Sequence, residues 1–362
     1  MQINKIVVTG GPCAGKTTAM SWIQNHFERM GYTVLFVPET ATELISGGVA
    51  PWTCGTNLDY QKCQVRLQMV KEELFERAAR TMPKDKILIV CDRGVMDNKA
   101  YMNEEEFSEV LRDVGHTLSE LRDQYDAVFH LVTAAKGAEE FYTLENNAAR
   151  YETVEQAREM DDRIIASWTG HPHLRVIDNS TDFDEKLKKL VNAIADLLGE
   201  EKVEMKRKYL IGFPDIRELE NNPFVRKVDI IQTYLKAPEG IEHRIRQSGE
   251  QDYYTFYETI RRTVDYQKLR LERRLTEERY MELLAQADES FAPLHKTRYY
   301  FTYDRQYLMI DIYPFTKEQA VLEAIVPSEE EEVRIPPFVN VIREVTDEPS
   351  FKGRAVTMNN SF

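Results

Sequence analysis

Gly10-Gly11-Pro12-Cys13-Ala14-Gly15-Lys16-Thr17 fits the pattern G-x-x-x-x-G-K-[ST], and its neighbours are the ones that pattern requires. Ile6-Val7-Val8-Thr9 before it is β-branched and reads as a strand, and Thr17-Thr18-Ala19-Met20 after it opens a helix. A glycine-rich turn in that setting wraps phosphate oxygens with backbone N–H groups, while the helix behind it presents its positive end. Gly10, Gly11, Pro12, Cys13, Ala14, Gly15, Lys16, Thr17 and Thr18 are therefore the expected nucleotide-binding residues. Lys16 is placed to reach the β- and γ-phosphates and the Thr17 hydroxyl to ligate Mg2+. Cys13 reads as a small filler of the loop rather than a redox switch. The nucleotide is ATP or GTP, because no N-K-x-D string follows the fourth strand to read guanine.

Working outward, short β-type runs at 5–9, 33–38, 87–91, 127–132 and 174–177 alternate with amphipathic stretches at 17–30, 60–79 and 183–198. That alternation predicts a doubly wound parallel sheet of five strands with crossover helices. Ligands of such sheets sit outside the carboxyl ends of the strands. The third strand ends in Asp92-Arg93-Gly94, so Asp92 can hold the metal through water or take a proton from an acceptor hydroxyl, with Arg93 facing a phosphate or the acceptor. Capping a helix or pairing with each other is the structural alternative for these two. The second strand ends in Pro38-Glu39, which makes Glu39 either a general base or a capping acid. Arg150 falls after strand four, where it is either a lid arginine stabilising the transferring phosphoryl group or a solvated helix charge. His130 lies in the apolar fourth strand and reads as a hydrogen-bonded core residue, and no metal role attaches to His171 or His173 around Pro172.

Composition sets the outer limits. A chain of 362 residues, 42% apolar and 30% charged, has enough core formers for two or three globular domains. Its longest apolar runs are far shorter than the roughly 18 residues of a membrane span, and the N-terminus lacks a secretory pattern, so a cytoplasmic protein is expected. Cys13, Cys54, Cys63 and Cys91 form no C-x-x-C pair, which predicts free thiols. The net charge of −14 disfavours nucleic acid as a partner unless a local basic surface overrides it.

The helical pattern stops at Gly199, and a boundary near residue 200 divides 1–199, a phosphate-loop NTPase or kinase-like domain, from a strand-rich part at 203–346. Strands are expected there at 203–212, 229–235, 242–247, 253–262, 269–276, 296–302, 307–313 and 320–325, with a helix at 277–287. This makes an antiparallel barrel of eight strands, followed by a loosely ordered tail at 347–362. Charges recur two apart in it: Glu204, Lys206 and Lys208; Arg244 and Arg246; Arg270, Glu272 and Arg274; Lys296 and Arg298. Residues two apart share a strand face. That face is either solvated or turned inward, and so many inward cations could not stay unpaired without a polyanion among them.

Gly10 to Thr18 with Pro38-Glu39, Asp92-Arg93-Gly94 and Ala149-Arg150-Tyr151 resembles the ATPase-like domain shared by ribosylnicotinamide kinases of the NadR type and the TRP translocation defect protein family. The string 9–18 is closer to the second. Residues 203–211, with Ile231-Gln-Thr-Tyr-Leu, Glu242-His-Arg-Ile-Arg, Lys296-Thr-Arg-Tyr-Tyr and Leu322-Glu-Ala-Ile, look like the CYTH or triphosphate-tunnel domain. That resemblance implies a tunnel in which Lys206, Lys208, Arg244, Arg246, Arg270, Arg274, Lys296 and Arg298 grip a triphosphate or polyphosphate. It also implies that Glu204, Glu272 and Glu323 hold a metal. The family's opening E-x-E-x-K stands here as Glu204-x-Lys206-x-Lys208, so hydrolysis is weakened as an expectation and binding is not. The whole chain resembles the translocation-defect family, which is associated with GTP binding and phosphoinositide recognition. A phosphoinositide headgroup is therefore a further implied partner, with peripheral membrane contact left open. The implied functions are a phosphotransferase or NTPase fused to a phosphate-binding unit, a nucleotide-gated receptor, and an inorganic triphosphatase.

Overall fold

The computed structural model describes residues 2–141, 153–200, 205–250, 253–264, 267–326 and 331–359. The chain divides into two compact units, Met1–Val191 and Asn192–Phe362.

The first unit is built on β1 (Gln2–Gly10), β2 (Thr33–Val37), β3 (Lys86–Asp92), β4 (Ala127–Leu131) and β5 (Leu174–Ile177), all parallel, in the order β2-β3-β1-β4-β5. Around the sheet run α1 (Lys16–Arg29), α2 (Thr40–Ser46), α3 (Asn57–Thr81), α4 (Glu104–Val114), α5 (Leu118–Asp123), α6 (Val154–Trp168) and α7 (Phe183–Leu198), the last of which ends in the second unit. β1, β3 and β4 are near-continuous apolar runs because a parallel sheet is covered on both faces; Ile6, Val7, Val8, Ile87–Val90 and Phe129 are fully buried. β1 is central, and the chain leaves it first toward β2 and later crosses to β4. The carboxyl ends of β1 and β3 therefore open a crevice at the point where the winding reverses.

The second unit is an antiparallel sheet of β6 (Met205–Gly212), β7 (Arg226–Tyr234), β8 (Ile241–Glu250), β9 (Tyr253–Val264), β10 (Gln267–Leu275), β11 (Leu294–Tyr303), β12 (Gln306–Ile312), β13 (Gln319–Val326) and β14 (Val341–Glu344). Their order is β10-β9-β8-β7-β11-β12-β13-β6-β14. Nine strands, not the eight expected from the sequence, are paired among the described residues. The ninth, β14, is four residues long, exposed throughout, and pairs only with β6. Short helices α8 (Ile216–Asn221), α9 (Glu277–Leu284) and α10 (Gly353–Asn359) complete the unit.

Strand alternation gives the sheet two unlike faces. One face is apolar. Tyr209, Ile211, Tyr299, Phe301, Leu308, Ile310 and Leu322 pack with Leu219 of α8, while Ile245 packs with Tyr280 and Leu283 of α9. The opposite face carries Lys206, Lys208, Arg244, Arg246, Glu272, Arg298, Asp311 and Glu323, while the charged cluster His243, Glu258 and Arg273 lies on the side of Ile245. The C-terminal segment is also ordered, contrary to expectation: Val345, Phe351 and Val356 bury themselves against Leu210, Leu294, Tyr313 and Val321. No helix among the described residues is long and apolar enough to cross a membrane.

Candidate functional site

Gly10 and Gly15 have φ of 153° and 88°, which side chains rarely adopt, and a Cβ on Gly10 would lie 2.3 Å from the Leu131 carbonyl. The loop between them is held by its carbonyls. Pro12 O accepts from the Thr133 hydroxyl, Cys13 O from the Ala134 N–H at 3.3 Å, Ala14 O from Lys186 Nζ at 3.2 Å, and Gly10 O from Lys16 Nζ at 3.4 Å. The Pro12, Cys13 and Ala14 carbonyls are thus taken up by Thr133, Ala134 and Lys186, while Gly10 O meets the lysine expected at the phosphates. Lys186 is buried and also donates to Val132 O and to Asn179 Oδ1, both at 2.7 Å; burial lowers its pKa to about 8.

Beneath the loop, Asp161 of α6 is wholly buried. Its Oδ1 accepts from the N–H groups of Gly11 and Thr133, both at 3.1 Å, and lies 2.9 Å from His130 Nε2; its Oδ2 accepts from Lys136 at 3.1 Å. Burial would raise its pKa, but His130 and Lys136 more than offset this and hold it at about 2. His130 is thus a hydrogen-bonded core residue that also steadies the phosphate loop. Nothing in the sequence separates Asp161 from the exposed Asp162 beside it; only packing does.

Lys16, Asp92, Arg93 and Glu39 meet at the carboxyl edge of the sheet. Arg93 Nε donates to Glu39 Oε1 at 2.5 Å, and the Thr42 hydroxyl donates to Glu39 Oε2 at 2.6 Å, so both oxygens of Glu39 are engaged. Burial pushes the Glu39 pKa up, yet Arg93 and Thr42 together bring it down to about 2. Asp92 differs: Oδ1 is buried without a hydrogen-bond partner, and burial, outweighing the pull of Lys16, raises its pKa. Arg93 has φ of 70°, held by its N–H on Val8 O and by Gln68 Nε2 on its carbonyl, and its Nη1 is buried without a hydrogen-bond partner. Asp97, which follows the strand end and carried no assigned role, ties this corner to β1: it accepts from the Thr9 hydroxyl and from Gly94 N–H at 2.7 Å. Thr17 and Thr18 are exposed at the mouth of the loop. An exposed alcohol and a buried carboxylate oxygen with no partner are a donor set suited to Mg2+, which prefers oxygen ligands and keeps several waters. Arg150 lies outside the described residues.

On the second unit's charged face, Arg298 is 4% exposed and bidentate on Asp311, Nε at 2.6 Å and Nη2 at 2.7 Å, with Nη2 also 2.8 Å from Glu323 Oε2. Lys208 reaches Glu323 at 3.0 Å, Lys206 at 3.5 Å, and Lys296 reaches Asp311 at 2.5 Å. Burial, aided by Arg298, lowers the Lys296 pKa to about 8. On the neighbouring strands Arg246 lies 3.4 Å from Glu272, Arg261 lies 3.1 Å from Glu242, and Arg274 donates to the Tyr253 hydroxyl at 3.0 Å. Arg244 is largely buried, and burial with the neighbouring Arg261 lowers its pKa to about 10.

The expectation that inward cations here must have a polyanion as their partner is corrected: carboxylates of the chain itself, two of them (Asp311 and Glu242) not foreseen, share the face. Among the described residues the cations named here outnumber these carboxylates. Lys206, Lys208, Arg244, Arg246, Arg261, Arg274, Lys296 and Arg298 face Glu242, Glu272, Asp311 and Glu323, and Arg246 Nε is buried with no partner. Glu272 and Glu323 are engaged by cations, and no group of three or more His, Cys, Asp or Glu side chains among the described residues is disposed to hold a metal. Glu204 and the side chain of Arg270 lie outside the described residues.

A family model described as an AAA domain matches residues 5–186. No curated protein matches the chain. Among solved structures, the inorganic triphosphatase NE1496 is 24% identical, with 44% of this chain and 96% of that one covered at a TM-score of 0.31. A conserved hypothetical protein from Pyrococcus furiosus is 18% identical over 35% of this chain and 80% of that one, and the PH1012 protein from Pyrococcus horikoshii is 16% identical over 35% and 81%; both have TM-scores of 0.27. These likenesses are too slight to carry an inference.

Proposed function

Because the chain belongs to the AAA domain family, with a nucleotide-binding first unit, we propose that it is a phosphotransferase that moves the γ-phosphoryl group of ATP or GTP to a small hydroxyl-bearing acceptor, and that its second unit binds an oligophosphate. The observation that carries the first half is the corner formed by Asp92 and Arg93. Asp92 Oδ1 is buried with no hydrogen-bond partner, and Arg93 Nη1 makes no hydrogen bond and only a 3.8 Å ion pair with Asp97, which leaves both open to an acceptor and to the group in transfer.

In this reading the N–H groups of the loop and Lys16 hold the β- and γ-phosphates. Mg2+ would be held by the Thr17 hydroxyl, with Asp92 close to its waters, and when bound it draws charge from the phosphate oxygens. The acceptor hydroxyl oxygen forms a bond to Pγ, the bond from Pγ to the bridging oxygen breaks, and the nucleoside diphosphate leaves. The hydroxyl proton passes to Asp92. Asp92 is chosen over Glu39 because both Glu39 oxygens are already occupied, whereas Asp92 Oδ1 is open. Glu39 is left to orient Arg93, and Arg93 Nη1 faces the charge developing on the phosphoryl oxygens.

Transfer by Asp92→Asn is expected to fall about a hundredfold or more, with nucleotide affinity kept, and Glu39→Gln to lose less. Single-turnover transfer and nucleotide titration on the same preparations test this. Equal losses in both variants would remove Asp92 from the proton-accepting role.

The second unit's reading rests on its excess of cations, which an oligoanion would neutralise. Tripolyphosphate and a soluble phosphoinositide headgroup, titrated separately, distinguish an inorganic from a lipid-derived ligand. Phosphate release from tripolyphosphate that survives Lys16→Ala would instead favour hydrolysis by the second unit.

A further inference from the structure

α3 buries an unusual face. A helix packed on a sheet normally turns an apolar stripe inward, but here Tyr60, Gln61, Gln64 and Gln68 line one side of α3 and all are buried. Gln68 is fully used: its Nε2 donates to Arg93 O at 2.9 Å and to Glu72 at 3.0 Å, and its Oε1 accepts from the Thr40 hydroxyl at 3.4 Å. The turns N-terminal to it are not. The Tyr60 hydroxyl and the Oε1 atoms of Gln61 and Gln64 are buried without hydrogen-bond partners, as are Asp92 Oδ1 and Arg93 Nη1 at the strand end that Gln68 contacts.

Five such atoms around one edge of the sheet are too many for packing alone, since each costs about 1–3 kcal/mol when left unpaired. Gln68 fixes the stripe against the Arg93 carbonyl, and Gln64 and Gln61 stand about one and two turns before it on the same buried side of α3, so the stripe adjoins the strand end. Resting on the phosphotransferase reading, we infer that a recess between α3 and the Asp92–Arg93 corner takes an uncharged, polyhydroxylated small molecule as the acceptor.

The donor and acceptor inventory supports hydroxyls. Asp92 and the two glutamine carbonyls accept only, Arg93 Nη1 donates only, and the Tyr60 hydroxyl does both. A half-turn of either glutamine amide exchanges its oxygen for an NH2, and a hydroxyl, being donor and acceptor, satisfies both orientations. The charge inventory excludes an anion. Glu39, Asp92 and Asp97 surround Arg93, whose Nε is already given to Glu39, and Lys16 serves the nucleotide phosphates. A phosphate monoester or orthophosphate would meet three carboxylates around a guanidinium whose Nε is bonded to Glu39 and whose Nη1 lies 3.8 Å from Asp97.

The test uses the full chain with Mg2+-ATP and Mg2+-GTP against two panels. Glycerol, ribose and myo-inositol are the uncharged polyols; orthophosphate, AMP and inositol monophosphate are the anions. Nucleoside diphosphate release and the phosphorylated product are read together by mass spectrometry. Expected is transfer to at least one polyol and none to the anions, with the KM for that polyol raised about tenfold or more in Gln64→Leu and in Tyr60→Phe. Melting temperatures establish that each variant is folded. Transfer to anions only would overturn the acceptor class and leave the phosphotransferase standing. Polyol transfer with KM unchanged in both variants would move the acceptor away from α3. Nucleotide binding with no transfer to any member of either panel would overturn the phosphotransferase reading itself, and this inference with it.

Discussion

One added carbon at residue 15 would lie 2.5 Å from the Phe183 ring, on a backbone with φ of 88°. Gly15→Ala must therefore shift the turn or the ring, and we expect nucleotide affinity to fall at least about tenfold with a loss of roughly 1–3 kcal/mol in stability, read by titration calorimetry and thermal unfolding. Asp161 gives a second residue-level prediction. Its pKa in the folded chain, about 2, lies below the ordinary carboxylate value of 3.8, so between these values the unfolded chain binds more protons and stability rises with pH. The contribution, roughly 2 kcal/mol, is complete above about pH 4 and is lost as pH falls toward 2. Asp161→Asn should flatten that acid limb of the stability curve and cost about 3–5 kcal/mol at neutral pH, because the amide has no charge and one acceptor oxygen for the partners on Oδ1 and Lys136 on Oδ2, and its NH2 must face one of these donors. A denaturant series from pH 2 to 7 on both proteins decides it; parallel curves would exclude Asp161 as the source.

Among the elements, legibility followed hydropathy. The five parallel strands are apolar and β-branched, and each appears where the pattern in the chain put it. β14 was illegible because four exposed residues, Val-Ile-Arg-Glu, carry no alternation. The polar stripe of α3 was hidden for the opposite reason. Glutamine reads as a solvent-facing residue, and only the packed structure turns Gln61, Gln64 and Gln68 inward. The same limit concealed Asp161 on α6. The C-terminal segment was misread as loose because Pro349, Gly353 and their polar neighbours mask Phe351 and Val356, whose burial depends on Leu210, Leu294, Tyr313 and Val321 far away in sequence. Phe351→Ala should cost the second unit about 3–5 kcal/mol. Differential scanning calorimetry would register this as a lowered melting temperature, and an unchanged one would show the segment to be only laid on the surface.

Across the whole molecule, a net charge of −14 coexists with a face on which, among the described residues, Lys206, Lys208, Arg244, Arg246, Arg261, Arg274, Lys296 and Arg298 gather around Glu242, Glu272, Asp311 and Glu323. Removing Arg246, whose Nε has no partner, should weaken tripolyphosphate binding by about tenfold, and the affinity of the unaltered chain should decline with added salt. Glu323→Gln should do the reverse, tightening oligophosphate binding while lowering the melting temperature, since Lys206, Lys208 and Arg298 all lean on that carboxylate. Isothermal titration at two ionic strengths measures both, and tighter binding in the Arg246 variant would refute the arrangement. Asp311 and Glu323 also make the face discriminating. A visitor must outcompete side chains that are already anchored, so chloride or a lone sulfate gains little, whereas a chain of linked phosphoryl groups replaces several tethered counterions at the entropic cost of one molecule. Avidity should accordingly climb steeply with the valence of the guest, and the abundant small anions of a cell would leave the face unclaimed.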